Sequence, residues 1–216
     1  MVTNLSASNS LVSGWVRELR DVQLQKDRMR FRRNMERIGE IAAYEISKVL
    51  AYKEITIETP LAETTCAVLA IQPVLVTILR AGMPLYQGLL SYFDHADSAF
   101  AGSYRKHSAD GSFEISNLYM TSPPLDGRPL IIADPMLATG ASMVATLTSL
   151  LEYDHPSEIH LVCAIAAKEG IELVLKHFPS VNIWTAAIDK DLTDKAYILP
   201  GLGDAGDLAF GEKRQS

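Results

Sequence analysis

A chain of 216 residues, 48% hydrophobic and 21% charged, has the material for a full buried core and fits one α/β domain. Its net charge of −6 excludes a general attraction for nucleic acid or an anionic membrane, so any anion must be caught by a local cluster. Cys66 and Cys163 lie far apart without metal spacing, no run approaches the ~18 apolar residues of a membrane span, and residues 1–10 lack a signal-like pattern; a cytoplasmic location is expected.

Residues 1–25 are mixed in pattern and predict irregular or briefly helical chain anchored by Trp15 and Leu19. From 26 to 50, Phe31, Met35, Ile38, Ala42, Ile46 and Val49 recur at helical spacing and predict one long amphipathic helix. Within 17–37 stand eight basic residues against four acidic ones. Such a run is ordinarily a solvated face; the sharper reading is an anion site or a contact with a second subunit. Residues 55–58 predict a short strand closed by Pro60, and 73–79 a strand buried on both faces. A helix at 85–92 and a strand at 98–104 follow. Between 104 and 123, Asp110-Gly111 flanked by Phe113, Ile115, Leu118 and Met120 signals a β-hairpin, a flap or subunit-contact arm. Strand 130–134, helix 142–152, strand 159–166, helix 171–177 and strand 182–188 complete the alternation. The fold class is therefore α/β, a mostly parallel sheet with helices on both faces and an inserted hairpin arm.

Four segments carry chemistry. In the first, Asp134 ends a buried strand and is followed by Pro135, Met136, Leu137, Ala138, Thr139, Gly140, Ala141 and Ser142, small residues leading into a helix. A helix N-terminus behind a loop of bare backbone suits a phosphate, and the carboxylate suits sugar hydroxyls. A capping turn explains Asp134 alone but not the whole loop. The motif is neither a Walker loop nor G-x-G-x-x-G. In the second segment, Arg80 follows the strand at 73–79, and Gly82 is expected to let the backbone pass close to a ligand. The third, Gly102-Ser103-Tyr104-Arg105, offers a second guanidinium at the base of the hairpin, before Lys106 and His107. The fourth, 197–207, has three glycines and one proline among residues 200–206 and predicts a rigid loop without regular structure.

The Asp134–Ser142 wording resembles the loop of the type I phosphoribosyltransferases that binds phosphoribosyl pyrophosphate (PRPP), in the form found in the uracil phosphoribosyltransferases. The resemblance runs from about residue 36 to 211, with all four motifs in order; residues 1–35 and the hairpin diverge. Ala141 stands where a second glycine is frequent, and Leu208 where an arginine is frequent. It implies a single domain over 1–216 with a small hood, and transfer of ribose 5-phosphate from PRPP to uracil, giving UMP and diphosphate in pyrimidine salvage. Arg80, Asp134 and Asp204 would be catalytic, and Arg80, Arg105, residues 134–142 and Asp204 would bind PRPP. Ile198, Gly203, Asp204 and Ala205 would bind uracil, while Asp207 would fix the loop. Mg²⁺ would arrive mainly on the diphosphate with waters, without a dedicated protein site. The resemblance also implies a homo-oligomer, dimer or larger, and admits GTP as an effector. Rival readings are an RNA-binding regulator, which needs a basic face, a silent nucleotide sensor, and an enzyme for another base, which should differ at 197–205.

Overall fold

The apolar run at 73–79 becomes β4 (Val74–Leu79), and β7 (Pro129–Ala133) lies directly beside it; every residue of both except Leu79 is buried. Strands covered on both faces need a layer of helices on each side, which the intervening segments supply. A computed structural model describes residues 1–107, 113–152 and 154–213, with the backbone alone for 103–107 and 113–118. The remaining strands of the main sheet are β1 (Val2–Asn4), β5 (Asp97–His107), β6 (Phe113–Thr121), β8 (Met136–Leu137), β9 (Glu158–Ala167) and β10 (Asn182–Asp189). Their order is β1-β10-β9-β7-β4-β5-β6, with β8 added alongside β9, and only the β5–β6 pair is antiparallel.

One face is covered by α1 (Leu11–Arg20), α2 (Arg28–Ser47), α3 (Met83–Leu90) and α6 (Ala205–Phe210), the other by α4 (Ala141–Leu150) and α5 (Lys168–His177). Helices α2 and α3 touch backbone to backbone. A Cβ on Gly39 would lie 2.2 Å from the Leu85 carbonyl oxygen, and one on Gly88 2.0 Å from that of Glu36. This close approach fixes α3, and with it the Arg80 turn that feeds it.

The expected strands and helices of the alternating core are present within one to three residues. The N-terminal segment is more ordered than its pattern predicts. Ser10 caps α1 with a reciprocal bond from Ser13, and β1 gains its place by parallel pairing of Val2 with Ile183, which no local pattern reveals. Helix α2 ends at Ser47, so Val49 is 49% exposed and does not belong to the core stripe. The strand at 55–58 is longer, β2 (Tyr52–Glu58), and pairs with an unexpected β3 (Glu63–Leu69) in a two-stranded sheet of its own. In β3 only Cys66, Val68 and Leu69 are half-buried and the rest is exposed, so the inside–outside alternation that marks a strand is weak. The hairpin at 104–123 is confirmed by β5–β6 pairing, while its Asp110-Gly111 turn lies outside the described residues. Near the C-terminus, β11 (Asp191–Leu192) and β12 (Ile198–Leu199) form a small antiparallel pair. No helix among the described residues is long and apolar enough to cross a membrane.

Candidate active site

At the carboxyl ends of β4 and β7 lies an open cavity of about 200 Å³. Ligands of open α/β sheets bind at this edge, in the crevice outside the carboxyl ends of the strands. One wall is the loop after β7: Asp134, Met136, Leu137, Ala138, Thr139, Gly140 and Ser142, with Met143 of α4. The opposite wall is the C-terminal segment: Ala196, Tyr197, Ile198, Gly203, Asp204, Ala205 and Gly206; Ala81 closes the floor.

The β7–α4 loop is held rather than free. Met136 and Leu137 form β8 and pair in parallel with Ile165 and Ala166 of β9. The buried Pro135 faces away from the cavity, and its carbonyl accepts from the N–H groups of Ala164 and Ile165 at 3.0 and 3.1 Å. Gly140 caps α4 at φ +81, a conformation that a side chain strains. A Cβ there would lie 2.8 Å from the Gly170 carbonyl oxygen, and a Cβ on Gly170 would lie 2.4 Å from that of Ala138. The start of α5 therefore presses against the back of the loop. Ala141 opens α4 and does not line the cavity.

Asp134 faces the cavity from the end of β7. Burial pushes its carboxyl up to about 7, only weakly opposed by the Met136 N–H. Cys163, also buried, has its thiol pushed up to about 12 by that burial, and its Sγ lies 3.8 Å from the Trp184 carbonyl, which fits inert packing.

Arg80 is not a cavity wall in this state. Its Nη2 donates to Asp207 Oδ1 at 3.0 Å and to the Gly211 carbonyl at 3.2 Å, beside the cavity's rim. The peptide bonds preceding Arg80 and Pro200 are cis. Gly82 does not line the cavity. A Cβ there would lie 2.5 Å from Thr77 Oγ1 and 2.7 Å from the Ala133 carbonyl oxygen, so this glycine lets the turn pack against the strand ends. Arg105 lies in β5 opposite Ile115, and its side chain, like those of Lys106 and His107, lies outside the described residues.

The C-terminal wall corrects the expectation of a wholly irregular loop, because α6 begins at Ala205. Asp204 caps it, Oδ1 accepting from the Asp207 N–H at 3.0 Å, and one carboxylate at the N-cap suffices to start the short helix despite its glycine. Oδ2 of Asp204 accepts from Lys213 Nζ at 3.0 Å. Burial raises the Asp204 carboxyl, but the Asp207 N–H and the Lys213 ammonium outweigh it and hold it below the usual carboxylate range. Tyr197 and Gly206 enter the sequence reading only as members of the 197–207 segment, and Lys213 lies outside it. Asp207 was assigned to fixing its own loop, yet it also reaches Arg80 across 127 positions.

The basic run of α1–α2 is neither a bare solvated face nor a clustered anion site. Arg30 pairs with Glu18, Arg33 with Glu36 and Glu40, Arg32 donates to the Ala209 carbonyl, and Arg37 lies over Trp15.

The model of the uracil phosphoribosyltransferase family matches residues 6–212. The match includes most of the N-terminal segment, where the sequence reading found divergence. The chain is similar to a uracil phosphoribosyltransferase from Porphyromonas gingivalis, 47% identical over 213 residues that make up 98% of this chain and 99% of the relative. It is similar to one from Pyrococcus furiosus, 39% identical over 198 residues, 90% and 84% of the two chains. Among solved structures, the AQ2163 protein from Aquifex aeolicus superposes with a TM-score of 0.86 at 31% identity, covering 98% of both chains.

Proposed function

Because this chain belongs to the uracil phosphoribosyltransferase family, we propose that its cavity joins N1 of uracil to C1 of the ribose of PRPP, giving UMP and diphosphate. The observation that carries the reading is a single cavity walled on one side by the β7–α4 loop and on the other by residues 196–206. A phosphate and a small planar base have separate walls and a common floor.

The C1–oxygen bond to diphosphate breaks as the N1–C1 bond forms; the electron pair of the broken bond leaves on the diphosphate, and the proton of uracil N1 passes to water or to that leaving group. Positive charge grows on the ribose and negative charge on the leaving group, so fixed charges and positioning carry the catalysis. The loop N–H groups and the hydroxyls of Thr139 and Ser142 hold the 5-phosphate at the start of α4. Asp134 binds the ribose hydroxyls and, once ionised, stabilises the cationic ring. Arg80, held beside the rim by Asp207 through one nitrogen, and Arg105 neutralise the diphosphate. The lowered pKa of Asp204 and the engagement of both its oxygens make it a poor proton acceptor; it orients the 203–206 backbone that reads the base.

Among the described residues no three His, Cys, Asp or Glu side chains cluster to hold a metal. Asp134 in a cavity of this size fits a Mg²⁺ carried by the diphosphate and water, with Asp134 as the protein carboxylate nearest the ribose. Bound there, Mg²⁺ would neutralise part of the diphosphate charge.

A base panel with PRPP and Mg²⁺ tests the assignment through diphosphate release. Uracil should react and cytosine, whose edge exchanges a donor for an acceptor, should fail by orders of magnitude. Equal turnover of the two bases sinks it. Adding GTP to the same assay tests the effector role. We also read the chain as a dimer, since an isolated two-stranded sheet such as β2–β3 is marginal in water and Ile55, Ile57 and Leu61 are exposed on it. Light scattering at the mass of one chain would refute this.

A further inference from the structure

We propose that Arg20 and Asp189 together position the uracil-reading segment, which gives the N-terminal helix a role in acceptor binding; the inference rests on the uracil assignment above. The two side chains form a bidentate pair, with Nη1 to Oδ2 and Nη2 to Oδ1 both at 2.8 Å. Asp189 is 7% exposed and Arg20 23%, so the pair is largely shielded from solvent. A guanidinium–carboxylate fork only partly wet is far better fixed than a surface ion pair.

What the pair holds is one residue, through the peptide groups on both sides of it. Arg20 Nη1 also donates to the Gly201 carbonyl at 3.0 Å, and the Gly201 N–H donates to Asp189 Oδ2 at 2.9 Å. Both polar groups of Gly201 are thereby tied to the same ion pair. Gly201 is the hinge of the segment. It sits at φ +57, and a Cβ there would lie 2.1 Å from the Ile198 carbonyl oxygen, so the chain folds back tightly on Ile198 at this point. Ile198 precedes the hinge and Gly203, Asp204 and Ala205 follow it, and all four face the cavity. Neither Arg20 nor Asp189 lines the cavity, so neither touches substrate. They are positioning residues, and they act on the base-reading backbone without reaching the phosphate loop on the other wall.

A uniform structural role would weaken both substrates alike, whereas positioning of this wall should divide them. In D189N and R20A the KM for uracil should rise about tenfold, the loss of roughly one well-placed hydrogen bond, with the KM for PRPP within about twofold. The R20A/D189N double variant should be no worse than the poorer single one. R20K keeps a cation beside Asp189 but cannot hold both carboxylate oxygens and the Gly201 carbonyl; if R20A fails to fold, R20K should show the same division at a smaller, severalfold shift. Amide hydrogen exchange over residues 198–205 should accelerate in each variant, a readout that needs no activity. Equal rises in both KM values, or an unchanged uracil KM in folded D189N and R20K, overturn the proposal. Faster exchange in a protein whose wild type never consumes uracil would instead keep the positioning role and remove the acceptor assignment.

Discussion

Arg80 Nη2 and Asp207 Oδ1 stand 3.0 Å apart, joining the turn after β4 to the final helix of the chain. The guanidinium is thus ordered beside the cavity before any diphosphate arrives, by Asp207 and by the Gly211 carbonyl. Ordering a free arginine side chain costs on the order of 1–2 kcal/mol. D207N should therefore raise the KM for PRPP about three- to tenfold with little effect on the KM for uracil. R80A removes the charge itself and should lower kcat/KM for PRPP about a hundredfold or more. Steady-state kinetics with each substrate varied in turn decides both, and an unaltered PRPP KM in D207N would refute the preordering.

The raised carboxyl of Asp134 gives a pH dependence with a definite sign. With a folded pKa of about 7, the side chain is protonated below that pH and ionised above it. If the ionised form serves the ribose, kcat/KM for PRPP should climb through about pH 7 and level off, since this ratio reports groups of the free enzyme. D134N should lose about a hundredfold in kcat and abolish that inflection.

Stability should move the opposite way at the same residue. The unfolded chain releases the Asp134 proton near 3.8 and the folded chain only near 7, so this group's stabilising contribution is full below the unfolded value and is lost as pH rises through the folded one. D134N should accordingly melt higher than wild type at pH 8, with the gap narrowing toward pH 5. Matched thermal scans across that range check it, and a variant less stable at every pH would contradict it.

Gly170 lies outside the cavity, yet a Cβ on it would collide with the Ala138 carbonyl at 2.4 Å. G170A should cost ~2 kcal/mol of stability by overpacking. It should also raise the KM for PRPP, because relief of the clash displaces the phosphate loop. Denaturant melts and PRPP kinetics on the same preparation test the two effects together.

Buried His160 accepts from Trp184 Nε1 on Nδ1 at 3.1 Å and faces Glu158 Oε2 through Nε2 at 2.9 Å, an arrangement that suits the neutral ring. Burial lowers its pKa from the ordinary 6.5, outweighing Glu158. Its contribution is complete above the unfolded value and is lost as pH falls below it. Wild-type melting temperature should drop from pH 7 to 5 more steeply than that of H160Q. Parallel slopes would remove His160 from the account.

The sequence was most legible where a physical rule is local. The unbroken apolar runs gave β4, β7 and β9, and Asp134 with its small-residue loop marked one wall of the cavity before any fold was visible. Residues whose partners lie far along the chain were not legible. Arg20 was counted in a basic run and read as a solvated face, although its partners stand 169 and 181 positions away. The bond from Asp207 to Arg80, 127 positions away, is silent for the same reason. Strand β8 is two residues long and exists only through its pairing with β9. The packing of Gly82 against Thr77 and Ala133 is silent too, because a glycine at a strand end looks the same whether a ligand or a neighbouring strand needs the room.

Strand β8 has one more consequence. By stitching Met136 and Leu137 to β9, the sheet extends its own hydrogen-bond ladder underneath the phosphate wall. The directions in which the following amides point are settled when the protein folds, not when substrate comes. The entropy of shaping the cradle is spent once in the lifetime of each molecule rather than at every turnover.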